Sequence, residues 1–447
     1  MKYIYYIIIS IIFLFSSTCS YTNNSLDAKE KKNHKKIIIL SIDGFPGYYA
    51  NEDSEFWKKL KYLPELKEKS VFSNKIRSSY PTLTYPAHTT MMTGVSPSIH
   101  GIYYNNPLDP MKKIGGDWYY YDEDIKVKTL MDFAREQGLK TGNIYWPVTV
   151  GAGITFNLPQ FWRFKSEYDK KLISALSTRG LYKYIYKKID NHVGEITGDE
   201  EKINAGIALW ELKSPDILLI YTTDLDTVHH EKGINSPEAL EKLLKIDSLV
   251  GKLISKTNLY SRNDLALLIV SDHGFKKVES LCYPNKILID EGIIDPTNSK
   301  WNMVFKGLGG SSVLLENKDS DSRIKSKSIS LEKISEKVIE NCPNSIVELE
   351  TETHQKIKNE INSNIKLFLH STSGMAFSES LSAKEVFRIS NPPYYNHGFL
   401  PTDTEMETIG IFYGGSKNIK FNELKDVIRV ACDYLHIECK EGEKRKD

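Results

Sequence analysis

The chain has 447 residues, 40% of them hydrophobic and 26% charged, an ordinary balance for a globular protein that can bury a large core. Its formal net charge of +1 gives no argument for nucleic acid, or for any polyanionic or polycationic partner. Aromatic residues make up 11%, and most of them are expected in the core because large pockets are few per protein.

The chain opens with MKYIYYIIISIIFLFSSTCS, where Lys2 precedes an apolar run from Tyr3 to Phe15 and then small residues. The run is short for a bilayer span and reads as an export signal over residues 1–19. Cys19 is a candidate for the acylated cysteine of a lipoprotein, with plain secretion or an uncleaved anchor as alternatives. The expected location is exported: periplasmic or membrane-anchored through Cys19, otherwise secreted. Residues 20–35 are polar and charged and read as a flexible tether. Cys282, Cys342, Cys432 and Cys439 are an even set that permits two disulfides in any of three pairings. There is no Cys-x-x-Cys, so a thiolate zinc site is not expected.

The folded domain is expected over 36–447. KKIIILSIDGF is a buried parallel strand closed by Asp43-Gly44. YPTLTYPAHTTMMTG comes next, from Tyr80 to Gly94. Its second half reads as a short helix with Pro86 in the first turn and Gly94 as the stop. VKTLMDFAREQGLKTGNIYWP reads as helix, Gly138, strand and Trp146-Pro147. SPDILLIYTTDLD is a second buried strand that ends in acids. SPEALEKLLKIDSLVGKLISK is an amphipathic helix with Ser236 as cap and Pro237 at its first position. NDLALLIVSDHGF is a third buried strand ending in Asp272-His273. This alternation predicts an α/β fold with a mostly parallel central sheet. From 279 to 391 the pattern loosens, and a small inserted α+β subdomain is expected there. The chain returns at NHGF, with ETIGIFYGG as a strand and FNELKDVIRVACDYL as a closing helix. No repeat and no separate nucleic-acid-binding module is apparent.

Three buried strands thus deliver Asp43, Asp226 and Asp272-His273 to one edge of the sheet, where α/β folds bind ligands. His229, His230 and His397 lie nearby in the pattern. Three aspartates with two or three histidines, and no thiolates, suit two zinc ions. Paired metals are a recurring device for phosphoryl chemistry. Asp226 and His230 are spaced i, i+4 and share a face if the segment is helical, whereas His229 points about 100° away. His229 is therefore given a supporting or surface role.

In order along the chain, SIDGF, PTLTYPAH, TGVSPSIHGIYYNN, DLDTVHH, SDHGF and NHGF resemble the nucleotide pyrophosphatase/phosphodiesterase family of the alkaline phosphatase superfamily. The resemblance implies an alkaline-phosphatase-like three-layer α/β/α fold and a catalytic domain over 36–447. It implies that Asp226, His230 and His397 hold one zinc, and that Asp43, Asp272 and His273 hold the other together with the nucleophile, Thr84. It implies that Asn105 hydrogen-bonds a phosphate oxygen. Ala87 stands where the animal pattern has asparagine, at a position that is not a ligand.

On this reading Thr84 lies at the mouth of a helix, whose N-terminus, including the Tyr85 N–H, favours anions. Tyr85 flanks the nucleophile and is a candidate substrate contact. Trp146 and Trp162 are read either as pocket walls or as core. Two dications against three aspartates and an ionised Thr84 leave the site near neutral, and the motif segments contain no arginine. Both features, with the neutral donor Asn105, favour a small-molecule phosphodiester or nucleotide substrate over a monoester. The alternatives are a phosphomonoesterase or phosphonate hydrolase on the same metals and, more remotely, a non-catalytic surface lipoprotein.

Overall fold

Runs of β-branched and aliphatic residues build the centre of the molecule. In the computed structural model β1 (Lys36–Ile42), β2 (Val71–Ile76), β3 (Thr141–Ile144), β4 (Phe156–Leu158), β5 (Ile217–Thr222) and β6 (Leu265–Val270) form one sheet with a closing strand, Thr408–Tyr413. The described residues are 34–445 without 114–116, 162–166, 190–197, 326 and 417. The export signal, Cys19, nearly all of the tether and Trp162 lie outside them. The strand order is β2, closing strand, β6, β1, β5, β3, β4. Pairings from β6 through β4 are parallel, and the closing strand runs antiparallel to both β2 and β6.

Alternate residues of the three middle strands feed two separate cores. Ile38, Leu40, Leu218, Ile220, Leu267 and Ile269 face one side. Helices Tyr62–Glu68, Asp199–Lys213 and Pro237–Thr257 cover it through residues such as Leu66, Leu209 and Val250. Ile37, Ile39, Ile217, Leu219, Leu268 and Val270 face the other side. There the helices Thr84–Thr93, Leu130–Glu136 and Asp426–Leu435 pack through Met91, Phe133 and Val430. These are the three layers. Each fully buried aliphatic side chain contributes about 1.5–3 kcal/mol of transfer free energy. Ser236 accepts the Ala239 N–H to cap the long helix, with Pro237 at its start.

Strand Lys276–Cys282 leaves the sheet edge just after His273, and strand Phe387–Asn396 returns just before His397. The two pair antiparallel, with Asn396 opposite Lys276. Between them lie a four-stranded antiparallel sheet and helices Pro284–Asp290, Leu331–Asn341 and Glu352–Glu360. This region has its own apolar core, including Phe305, Val338, Leu367 and Met375. Cys282 is bonded to Cys342, and Cys432 to Cys439. Among the described residues no helix is long and apolar enough to cross a membrane.

Candidate metal centre

β6, β1 and β5 are neighbours and run parallel, so their C-terminal ends open onto one place. Asp43 follows β1, and Asp272-His273 follow β6. After β5 the chain turns into helix Asp224–Lys232, which carries Asp226 and His230 one turn apart. Gly44 has φ +63, and a Cβ there would stand 3.2 Å from the Asp226 backbone. That close approach brings the ends of β1 and β5 together.

The acids and imidazoles form two overlapping groups, Asp43/Asp272/His273 and Asp226/His273/His397, whose ligand atoms lie within 4.8 Å of one another in each group. His230 Nε2 is 3.5 Å from Asp226 Oδ1. His273 Nε2 is 3.4 Å from both Asp43 Oδ1 and Asp272 Oδ2. The His273 and His397 rings stack at 3.6 Å. Each histidine is oriented by a carbonyl. His397 Nδ1 donates to Thr82 O at 2.9 Å, His230 Nδ1 to Tyr395 O at 3.1 Å, and His273 Nδ1 to Gly274 O at 3.2 Å. A carbonyl only accepts, so every Nε2 keeps its lone pair for a ligand, as metal-binding histidines require.

One oxygen of each aspartate is buried without a hydrogen-bond partner: Asp43 Oδ1, Asp226 Oδ1 and Asp272 Oδ2. The other oxygens of two of them are held. Asp272 Oδ1 accepts the Gly44 and His273 N–H groups at 3.0 Å, and the Tyr221 hydroxyl donates to Asp43 Oδ2. Burial pushes the Asp43 carboxyl well above its usual range, with Asp272 and Asp226 adding to the shift. Burial likewise raises Asp226 to about 6, against the pull of His230. His273 and His397 are driven well below the ordinary imidazole range, first by burial and then by neighbouring rings. Such a set lacks compensating positive charge at its centre. Carboxylate oxygens and imidazole nitrogens fit zinc in this arrangement.

Thr84 is the first residue of its helix and is 8% exposed. Its Oγ1 lies 3.4 Å from His273 Nε2, at the meeting point of the ligands. The neighbouring threonines are committed elsewhere: Thr82 Oγ1 donates to Phe399 O, Thr89 Oγ1 to Tyr85 O, and Thr93 Oγ1 to Thr89 O. The Tyr85 N–H, expected to face an anion, instead donates to Asn105 Oδ1 at 3.0 Å. That bond fixes the Asn105 amide. The Tyr85 ring is 1% exposed and packs on Trp118, so the side chain expected to touch substrate is in the core here. Trp146 is also core, 1% exposed against His88. His229 points away from the centre and bonds the Tyr49 hydroxyl at 3.0 Å.

Several supporting residues were not foreseen. His88 Nδ1 donates to Thr84 O at 2.8 Å, and its Nε2 accepts from Ser41 Oγ at 2.8 Å, tying the Thr84 helix to β1. Asp199 accepts the Thr223 N–H at 2.7 Å and the Asp224 N–H at 3.2 Å, capping the helix that bears Asp226 and His230. Lys202, completely buried, lies 3.7 Å from Asp199 and donates to Thr223 Oγ1 at 2.6 Å. The i, i+3 spacing of an acid and a lysine in a largely apolar helix was the available signal.

The sequence matches the type I phosphodiesterase / nucleotide pyrophosphatase family over residues 37–380. It is 27% identical to human ectonucleotide pyrophosphatase/phosphodiesterase family member 1 over 271 residues, which cover 57% of this chain and 25% of that protein. A venom phosphodiesterase of Crotalus durissus collilineatus is 26% identical over 250 residues, covering 54% of this chain and 26% of its own. The matched region thus spans about a quarter of the length of these relatives. Among solved structures, human ectonucleotide pyrophosphatase/phosphodiesterase 5 superposes with a TM-score of 0.62 at 18% identity, covering 91% of this chain and 96% of that one. An inactive form of the murine protein in complex with AMP superposes with a TM-score of 0.61 at 16% identity, covering 92% and 97%. This likeness confirms the alkaline-phosphatase-like layering.

Proposed function

The chain belongs to the type I phosphodiesterase/nucleotide pyrophosphatase family, and from that premise we propose that it hydrolyses phosphodiester or phosphoanhydride bonds through a phosphothreonine on Thr84. The observation that carries this reading is the set of unpartnered carboxylate oxygens and inward-turned imidazole nitrogens beside the Thr84 hydroxyl. Asp226, His230 and His397 would hold one zinc, and Asp43, Asp272 and His273 the other, beside Thr84. Bound there, the two ions would supply positive charge to the phosphoryl group and lower the cost of ionising a neighbouring hydroxyl.

The chain's own residues do the rest. Thr84 Oγ1 bonds to phosphorus as the leaving oxygen departs, and water then cleaves the ester and restores the hydroxyl. His88 holds the Thr84 carbonyl, so the nucleophile keeps its aim. Asn105 is anchored through its Oδ1, which leaves its Nδ2 to donate to a phosphoryl oxygen. A neutral donor suits the single charge of a diester. The substrate class is a small-molecule phosphodiester or nucleotide. The two disulfides favour an oxidising compartment, in keeping with export and with anchoring through Cys19.

Thr84→Ala is the direct test. The variant should still bind about two zinc ions per chain, the count expected for a two-metal site, while losing turnover of p-nitrophenyl thymidine monophosphate. Undiminished turnover would sink the assignment of the nucleophile.

A further inference from the structure

The geometry points to Lys306, contributed by the insert, as the residue that recognises a second anionic group on the substrate. This deepens the phosphoryl-transfer reading above and rests on it. A cavity of about 210 Å³ opens beside His397 and Asn105, and Lys306 and Glu379 line it as well. The same two residues, with Asn106, also line a cavity of about 590 Å³ that continues between the segment after Asn105 and the insert. Lys306 therefore lines both the space beside His397 and the larger one.

Its surroundings suit a receptor more than a structural pair. The Lys306 side chain is only 10% exposed, and its Nζ lies 2.7 Å from a Glu379 carboxylate that is 52% exposed. A pair with one half-exposed partner is weak and exchangeable, so an incoming anion can replace Glu379 without stranding a buried cation. The backbone at Lys306 is held firmly. It lies in strand Met303–Gly307, and its carbonyl accepts from Ser312 Oγ at 2.9 Å. The turn after this strand is bonded to the ligand loop, with Gly310 N–H donating to His397 O at 3.0 Å. Lys306 and His397 thus share one rigid support.

The substrate class this favours is a phosphoanhydride, in which a second phosphate lies next to the one attacked. Asn105 would address the attacked phosphoryl group and Lys306 the neighbouring one, with the remainder of the substrate lying in the 590 Å³ cavity. Lys112 and the hydroxyls of Ser378, Ser380 and Ser382 line that space.

The test uses the full zinc-loaded chain and two substrates that share a nucleoside, thymidine triphosphate and p-nitrophenyl thymidine monophosphate. Lys306→Met should lower the ratio of their kcat/KM values, triphosphate over ester, by ~10- to 100-fold, as expected for loss of a charged hydrogen bond. Lys306→Arg should recover most of the ratio, and Glu379→Gln should raise it. An unchanged ratio in Lys306→Met, with both rates equal to the parent or both reduced alike, overturns the proposal. Calorimetric binding of pyrophosphate and of orthophosphate gives a second readout that needs no turnover. The parent should prefer pyrophosphate, and Lys306→Met should lose that preference; a retained preference also overturns the proposal. If the parent cleaves neither nucleotide, the reading of activity fails, and calorimetry alone decides for or against Lys306.

Discussion

Lys202→Met should unfold the support beneath one half of the metal centre. The parent pair is wholly interior, with Lys202 0% and Asp199 2% exposed and 3.7 Å between them. Removing one partner of a buried pair costs about 3–5 kcal/mol, because the other charge is left uncompensated. Asp199 keeps the Thr223 and Asp224 N–H groups, which places the expected loss at the lower end, about 3 kcal/mol. Burial raises Asp199 to about 6, with Lys202 opposing the shift. A carboxyl raised in the folded state contributes stability while protonated, at low pH. That contribution is lost as pH rises from the unfolded value near 4 through the folded value. At about 1.4 kcal/mol per pKa unit, roughly 3 kcal/mol disappears across this window. Without Lys202 the window should extend further upward. Urea unfolding from pH 4 to 8 should show the variant still losing stability above about pH 7, where the parent's Asp199 contribution has levelled. Asp199→Asn combined with Lys202→Met should be more stable than Lys202→Met alone. Parallel pH profiles, or a loss under about 1 kcal/mol at pH 7, would refute the reasoning, since a buried unpaired carboxylate must cost more than that.

Tyr221→Phe removes the hydroxyl that donates to Asp43 and should weaken zinc binding by ~10- to 100-fold, measured by competition with a chelator. Gly398→Ala forces a side chain onto φ +80 with its Cβ driven into Leu308 O, so it should destabilise by at least ~1–3 kcal/mol in urea unfolding and lower turnover by moving His397. Loss of Cys282–Cys342, which closes a separation of 60 residues, should cost about 4 kcal/mol on the chain-entropy model. Loss of Cys432–Cys439, with a separation of 7, should cost only about 2, and a larger effect for the shorter loop in thermal unfolding would contradict that model.

The ends of three buried strands were readable because an apolar run that stops at an acid has few other meanings in an α/β pattern. Asp43, Asp226 and Asp272 converge because β5, β1 and β6 are adjacent, and their runs are continuous since both faces of the sheet are covered. The helical spacing of Asp226 and His230 was also readable, and so was the start of the helix at Thr84. The partners that orient these groups were not. Carbonyls of Thr82, Gly274 and Tyr395 fix the three imidazoles, and any residue type can provide a carbonyl. Lys202 carried little signal of its burial, because burial of a lysine depends on which helix face meets the sheet. Tyr85 was misjudged for a related reason. A residue next to a nucleophile can face either the cleft or the core, and the packing of Trp118 decides which.

The pairing of Lys276–Cys282 with Phe387–Asn396 has a consequence for assembly. His273 and His397 are brought to stacking distance by the two ends of that ladder, so the second cannot arrive until the whole insert between them has closed its loop. A nascent or partly folded chain holds Asp43, Asp226, His230, Asp272 and His273 but lacks His397, which completes the Asp226 group. Completion of the candidate metal centre thereby reports that the insert has folded, and a chain with a misfolded insert presents the other acids and imidazoles without His397.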